Sequence, residues 1–363
     1  MADAIVAGHI CLDIIPDLSS INSDQFDKTF QPGRLLQAGP ATLSPGGAVS
    51  NTGLALHRLG INTKLIAKVG DDQLGKTLIQ CLADQGSELT NGIITSSQST
   101  TSYSIVISPN GVDRRFLHHP GANDDFCAED IQFAAIRDAK LFHFGYPPLM
   151  KKMYSDNGSQ LLEVFKQVKE CGLTTSLDMA FPDPNSPSGK ADWHVTLSKV
   201  LPFVDIFMPS IDEILFMLKK PETSSLSTNL LESVSRELLD MGTKMVLLKL
   251  GDQGLYLRTV EFNPGINFGL IDLDIHQQWS GFKIWAPCFE VDVVGTTGSG
   301  DVTVAGFLAA LLHGLSPMDC VTFALGVGAC NVETADALSG VRTWDETWGR
   351  INSGWKRKKN QFS

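Results

Sequence analysis

The sequence predicts an α/β protein built on a doubly wound, mainly parallel sheet flanked by helices, with a small β lid. Three observations predict it. From about residue 137 to 335, short apolar runs alternate with helical periodicities of about 10 to 15 residues, the pattern of βαβ units. Two further apolar runs flank Ser108-Pro109-Asn110-Gly111 with no helix between them, so they form a hairpin rising from the main body. The chain has 363 residues, 43% of them hydrophobic and only 19% charged, which suffices for a large core and excludes disorder as the dominant state.

Taken in order, residues 4–8 form the first strand, and Asp13 lies just past it, where open α/β sheets place ligand-binding loops. Ser44-Pro45-Gly46-Gly47-Ala48-Val49-Ser50-Asn51 runs into a helix over 52–60, partly buried through Leu54, Leu56 and Leu59. Residues 64–69 read as a strand and 76–85 as a helix. The hairpin follows, with strands at 100–107 and 115–118. Then come a strand at 140–144, a helix at 160–171 and a strand at 174–178. Strands at 205–208 and 245–249 bracket a helical stretch at 229–241. Between Tyr256 and Trp285, a stretch containing Asn263-Pro264-Gly265, Trp279 and Ser280-Gly281 is long for a hairpin connection and not obviously helical. Residues 302–312 are apolar nearly all round and end at Gly314, so they form a helix buried against the sheet. Residues 1–345 are expected to form one domain, with the lid drawn from segments near 10–45 and 98–120. Residues 346–363 are a helix end and a basic tail, Lys356-Arg357-Lys358-Lys359, read as solvated.

Charge and cysteine content narrow the function classes. Asp and Glu total 40 against 29 for Lys and Arg, and the formal charge of −11 argues against a nucleic-acid partner. No apolar run approaches the roughly 20 residues that span a bilayer, so no membrane partner is expected. The start lacks a charged segment followed by a long apolar one, which makes the cytoplasm the expected compartment. The seven cysteines are odd in number, dispersed and never spaced C-x-x-C, so neither a disulfide framework nor a zinc site is expected.

Two segments compete for a phosphate. Gly70-Asp71-Asp72-Gln73-Leu74-Gly75-Lys76-Thr77 satisfies the P-loop pattern G-x-x-x-x-G-K-[ST], but Asp71 and Asp72 put two negative charges where a polyphosphate would lie. It reads as a strand-to-helix turn. The second, Gly295-Thr296-Thr297-Gly298-Ser299-Gly300-Asp301, precedes the buried helix; Gly298 and Gly300 let the backbone turn and present amide groups at a helix N-terminus, an anion site without a lysine. A carboxylate at its mouth, Asp301, can take a proton from an attacking hydroxyl while the amides hold a phosphoryl group, or it is an ordinary first-turn Asp. At the other constellation, Gly46 and Gly47 permit close approach of a ligand, and Asp13 and Asn51 suit a polyol.

Together these segments resemble the ribokinase-like (PfkB) family of sugar and nucleoside kinases. The pieces stand in family order: Gly8 with Asp13, Pro45-Gly46-Gly47 with Asn51, and Ala67-Lys68-Val69-Gly70-Asp71-Asp72. Pro120-Gly121-Ala122-Asn123, Pro209-Ser210-Ile211-Asp212-Glu213, Lys249-Leu250-Gly251-Asp252-Gln253-Gly254 and Gly295 to Asp301 follow. The resemblance implies a kinase using ATP and Mg2+, with Asp301 as base and the amides of Gly298, Ser299 and Gly300 holding the transferring phosphoryl. It also implies that Asp13, Gly46, Gly47 and Asn51 bind sugar hydroxyls, that Lys249, Gly251 and Ser210 line the ATP site, and that Glu213 orders magnesium. A homodimer through the lid is compatible with it.

Three positions depart from the family pattern. Ser210 replaces the Asn of Asn-x-x-Glu, Gly295 replaces an Asp that accompanies potassium binding, and Ala48 replaces a Lys usual in ribokinases. The expected function is ATP-dependent phosphorylation of a hydroxyl on a small sugar or related polyol. The alternatives are a nucleoside kinase, with Phe116 and Tyr103 clamping the base, and a catalytically silent sugar sensor. His118, His119, Arg114 and Arg115 on the hairpin suit an anionic substrate or a solvated face.

Overall fold

The computed structural model describes residues 2–21, 28, 30–33, 35–109, 115–223, 225–262, 268–271 and 278–359. Thirteen strands among them form two sheets. The large one contains β1 (Ala4–Gly8), β4 (Thr63–Gly70), β5 (Ile93–Ser96), β8 (Leu141–Gly145), β9 (Thr174–Asp178), β10 (Ile206–Phe207), β11 (Met245–Lys249), β12 (Leu255–Thr259) and β13 (Lys283–Ala286). Its order is β13-β12-β11-β10-β9-β8-β1-β4-β5, and every pairing is parallel except β11 with β12 and β12 with β13. Residues on β1 alternate between two cores: Ala4 and Val6 pack on one side, Ile5 and Ala7 on the other. Both faces are therefore covered, as the unbroken apolar runs require. The helices Ser299–Leu312 and Pro317–Asn331, buried over most of their length, fill the first face.

The small sheet contains β2 (Cys11–Pro16), β3 (Ala41–Gly46), β6 (Tyr103–Ile107) and β7 (Arg115–His119), in the order β3-β2-β6-β7. Since β2 begins three residues after β1 ends, this sheet stands at the carboxyl ends of the parallel strands. Asp13, read as a loop residue, lies inside β2, opposite Ser44 of β3 and Ser104 of β6. The hairpin's first strand starts at Tyr103 rather than at 100, because the Thr101 amide and hydroxyl both turn away to bond Asp72. The Asn110-Gly111 turn and Arg114 lie outside the described residues.

The stretch between β12 and β13 carries no function in the sequence reading, and Asn263-Pro264-Gly265 lies outside the described residues. Its described parts close the far end of the molecule. Phe268 O accepts from Thr174 Oγ1, at the amino end of β9, and Trp279 packs edge-on against Phe307. The helix Trp344–Asn352 runs through residue 345, and the basic end read as solvated is in part docked. Lys356 and Lys358 hydrogen-bond residues 288–290 through the backbone, while Arg357 lies over the Phe289 ring. Arginine stems and guanidinium faces cover aromatic surface, a role that charge counting overlooks. Among the described residues, no helix is long and apolar enough to cross a membrane.

Candidate active site

The helix Ser299–Leu312 opens at Gly298 in left-handed backbone (φ 65°), with no side chain capping it. Its first-turn amides are thus available to a ligand, although Ser299 N–H also donates to Thr296 O across 3.3 Å. Asp301, in that turn, is 2% exposed. Its Oδ2 accepts from Asn51 Nδ2 at 2.9 Å and from the Tyr146 hydroxyl at 2.8 Å, while Oδ1 is buried without a partner. Burial raises the Asp301 pKa, and the two hydrogen bonds partly offset this. One oxygen is anchored and the other is left for a proton.

Asn51 comes from the helix Ala48–Arg58, which Gly47 precedes at the N-cap position. Gly47 has φ 84°, and a β-carbon there would stand 2.6 Å from His9 Nδ1; one on Gly46 would collide with the Asp13 carboxylate. The paired glycines are therefore required by the approach of Asp13 and His9. Asn51 Oδ1, buried and without a partner, remains an acceptor for a hydroxyl. Asp13 accepts from Cys11 Sγ at 3.3 Å, and burial, offset by Cys11 and Ser104, pushes its pKa up to about 6. His9 Nε2 lies 3.4 Å from His118 Nε2, and His118 Nδ1 lies 3.0 Å from Ser104 Oγ. Burial lowers the pKa of both imidazoles, which favours their neutral forms.

On the other side of the helix N-terminus, a cavity of about 230 Å³ is lined by Lys249, Gly251, Thr296, Ser299 and Gly300, with Cys288, Phe289, Leu325 and Val332 forming an apolar wall. Lys249 Nζ pairs with Asp178 at the carboxyl ends of β11 and β9. Ser210 and Glu213 form a capping box: Ser210 N–H donates to Glu213 Oε2 at 2.7 Å, and Glu213 N–H donates to Ser210 Oγ at 3.3 Å. Ser, which caps helices as well as Asn does, preserves the local structure of the departed motif.

The P-loop pattern belongs to no site. Asp72 caps the helix Gln73–Ala83, accepting from Gly75 N–H at 2.8 Å, and also binds Thr101; Lys76 meets Asp71 at the surface. The structure brings Asp301, Asn51, Asp13, Gly46 and Gly47 to one side of the Gly298–Gly300 turn, and Lys249 and Gly251 to the other. His118, read on the hairpin as suiting an anionic substrate or a solvated face, lies here beside His9 and Ser104, whereas Tyr146, Asp178, His9, Ser104 and Cys11 were not singled out from the sequence as members of this site. Tyr146 and Asp178 carried a usable signal, since each is a polar residue at the carboxyl end of a buried strand.

An open parallel sheet with a second small sheet over the carboxyl ends of its strands, and a glycine turn opening a buried helix there, is the architecture of ribokinase-fold proteins. Solved structures of that fold overlay nearly the whole chain. A Xylella fastidiosa fructokinase with bound ATP matches with TM-score 0.73 and 20% identity, covering 97% of this chain and 99% of that one. An Arabidopsis thaliana ribokinase complexed with ribose and ATP matches with TM-score 0.72 and 19% identity, over 96% and 98%. The model of the pfkB family of carbohydrate kinases matches residues 1–344, and the chain belongs to that family. It is a sugar kinase. Among named relatives, a probable chloroplastic fructokinase-6 of Arabidopsis thaliana is 27% identical over 93% of this chain and 79% of its own length. Fructokinase-1 of Zea mays is 23% identical over 93% of each.

Proposed function

We propose that the protein transfers the γ-phosphoryl group of ATP to a hydroxyl of a small sugar or related polyol, bound between the two sheets. The observation that carries this reading is the divided Asp301 carboxylate: Oδ2 is held by Asn51 and Tyr146, and Oδ1 is free beside an uncapped helix N-terminus. The acceptor hydroxyl gives its proton to Oδ1 as its oxygen bonds the γ-phosphorus, and the bond from that phosphorus to the β–γ bridging oxygen breaks, leaving ADP. In a loose transition state the proton leaves late, so placing the hydroxyl matters more than base strength, and the amides of Gly298, Ser299 and Gly300 stabilise the charge on the transferred group.

Asp13, Asn51 and the backbone of Gly46 and Gly47 orient the acceptor, while the four-stranded sheet acts as a lid that keeps water from the phosphoryl group. The apolar wall of the 230 Å³ cavity suits a nucleobase; Lys249 and Gly251 line it, and Ser210 stands beside Lys249 through a backbone bridge. Glu213 suits magnesium: it is a hard oxygen donor with one oxygen on the Ser210 amide and one remaining for a metal-bound water. A magnesium ion held there would supply charge neutralisation for the transferring phosphoryl group.

Because the named relatives are fructokinases, ketohexoses are the first acceptors to test. The experiment is an acceptor screen coupled to ADP release, covering hexoses, pentoses, sugar acids, phosphosugars and nucleosides. Turnover with a sugar or polyol supports the reading, and turnover confined to nucleosides overturns it.

A further inference from the structure

Asp178 and Lys249 form an ion pair that stability alone does not explain. Asp178 ends β9, Lys249 ends β11, and the short β10 lies between them, so the pair bridges the carboxyl end of the sheet. The Asp178 side chain is fully buried and that of Lys249 is 12% exposed. Oδ1 of Asp178 also accepts from Met179 N–H at 2.8 Å, but Oδ2 is buried without a partner. Taking two such ions out of water costs about as much as their attraction returns, and the unpartnered oxygen adds to the cost.

What the pair faces supplies a reason. Lys249 is the single basic side chain among the described residues lining the donor cavity, and its Nζ lies 3.7 Å from where a β-carbon on Gly300 would stand. Burial works against the charge on Lys249, yet Asp178, Glu213 and Asp301 outweigh it and hold the ammonium protonated. Those acidic groups also repel an incoming polyphosphate. A lysine able to turn from a carboxylate to a phosphoryl oxygen removes that repulsion where it is greatest.

We propose that Lys249 alternates between two anions, pairing with Asp178 when no γ-phosphoryl is present and with the γ-phosphoryl when ATP is bound, and that Asp178 is the positioning residue that aims it at Gly300. The binding half of this proposal stands on the donor cavity, and only its use in turnover rests on the kinase reading above.

The test is calorimetric titration of the full chain, in excess magnesium, with ADP and with the β,γ-imido analogue of ATP, beside steady-state kinetics. In Lys249→Met, the imido analogue is expected to bind at least tenfold more weakly than in wild type and ADP within threefold. Equal weakening of both nucleotides, or of neither, overturns the proposal. Asp178→Asn keeps the Lys249 side chain, with Glu213 and Asp301 still favouring its charge, and removes its competitor. It is expected to bind the analogue at least as tightly as wild type while kcat falls tenfold or more and the acceptor KM holds.

If Lys249→Met does not fold, Asp178→Asn decides: analogue and ADP affinity falling together with the melting temperature would mark the pair as merely structural. Wild-type protein that turns over no acceptor yet keeps the contrast between analogue and ADP would defeat the kinase reading and leave this proposal standing. Robust turnover without the contrast would do the reverse.

Discussion

Asp13 sits among groups that donate to it without carrying charge: Cys11 and Ser104, with His118 beyond them. Its folded pKa of about 6 lies above the value of roughly 3.9 expected in the unfolded chain. The native state therefore binds the extra proton between those values, and stability falls as pH rises from about 4 to 6, by at most about 3 kcal/mol, then levels off. Asp13→Asn should melt a few degrees above wild type at pH 7.5 and show no advantage at pH 4, measured by thermal unfolding. A constant gain at both pH values would detach the effect from ionisation. Tyr146 steadies the same site from the other side. Held in left-handed backbone (φ 65°), it donates to the anchored oxygen of Asp301. Tyr146→Phe should lower kcat by roughly tenfold to 150-fold, the worth of one hydrogen bond to a charged group, about 1.5–3 kcal/mol, with nucleotide affinity unchanged. Asp13 and Asn51 were legible because Asp13 follows the first strand and Asn51 follows the Gly46-Gly47 pair. Tyr146 and Asp178 showed only their place at strand ends, since their partners Asp301 and Lys249 stand 155 and 71 residues away in the chain and meet them only in the assembled fold.

The turn at residues 70–77 shows why a pattern match fails at the scale of the element. Asp72 places a carboxylate on the Gly75 amide at the N-terminus of the Gln73–Ala83 helix, the position a phosphate would need, and adds Thr101 from the approach to β6. Lys76→Ala should therefore leave ATP affinity unchanged, whereas Asp72→Ala should cost about 1–2 kcal/mol of stability, as loss of a cap does. Collapse of nucleotide binding in folded Lys76→Ala would restore the P-loop. The loop before Gly298 leaves no room for a side chain at its head. A β-carbon on Gly295 would stand 2.8 Å from Thr334 O and 2.9 Å from Ala335 Cα, so an aspartate there would have to displace that backbone. Asp292, the nearest substitute in sequence, is exposed. Replacing potassium by tetramethylammonium at fixed magnesium and ionic strength should leave kcat/KM unchanged; a tenfold drop, about 1.4 kcal/mol, would show a working cation site. Most strand and helix bounds moved by one to three residues from the sequence reading, as caps fixed them. The Ser299–Leu312 helix begins earlier than its apolar pattern because its first turn, Ser299 to Asp301, carries the site.

Across the whole molecule, the parallel order of the strands brings β1, β8, β9, β10 and β11 to one edge, where the small sheet stands over them. The alternation of apolar strands and helices made this class readable in the sequence. The register of β2 with β6, whose partners stand 91 residues apart in the chain, was not, because register across such a separation leaves no local trace. What the assembled edge achieves is the meeting of Asp301, on one helix, with Asn51 from a second and Tyr146 from the end of β8. Phosphoryl transfer at this site depends on that carboxylate. The direct measurement is kcat and nucleotide affinity of Asp301→Asn, using the acceptor found in the screen and ADP release as the readout. Loss of the proton acceptor with shape preserved should lower kcat by about 10²- to 10⁴-fold and leave nucleotide binding intact, whereas retention of more than about a tenth of wild-type kcat would contradict Asp301 as the base.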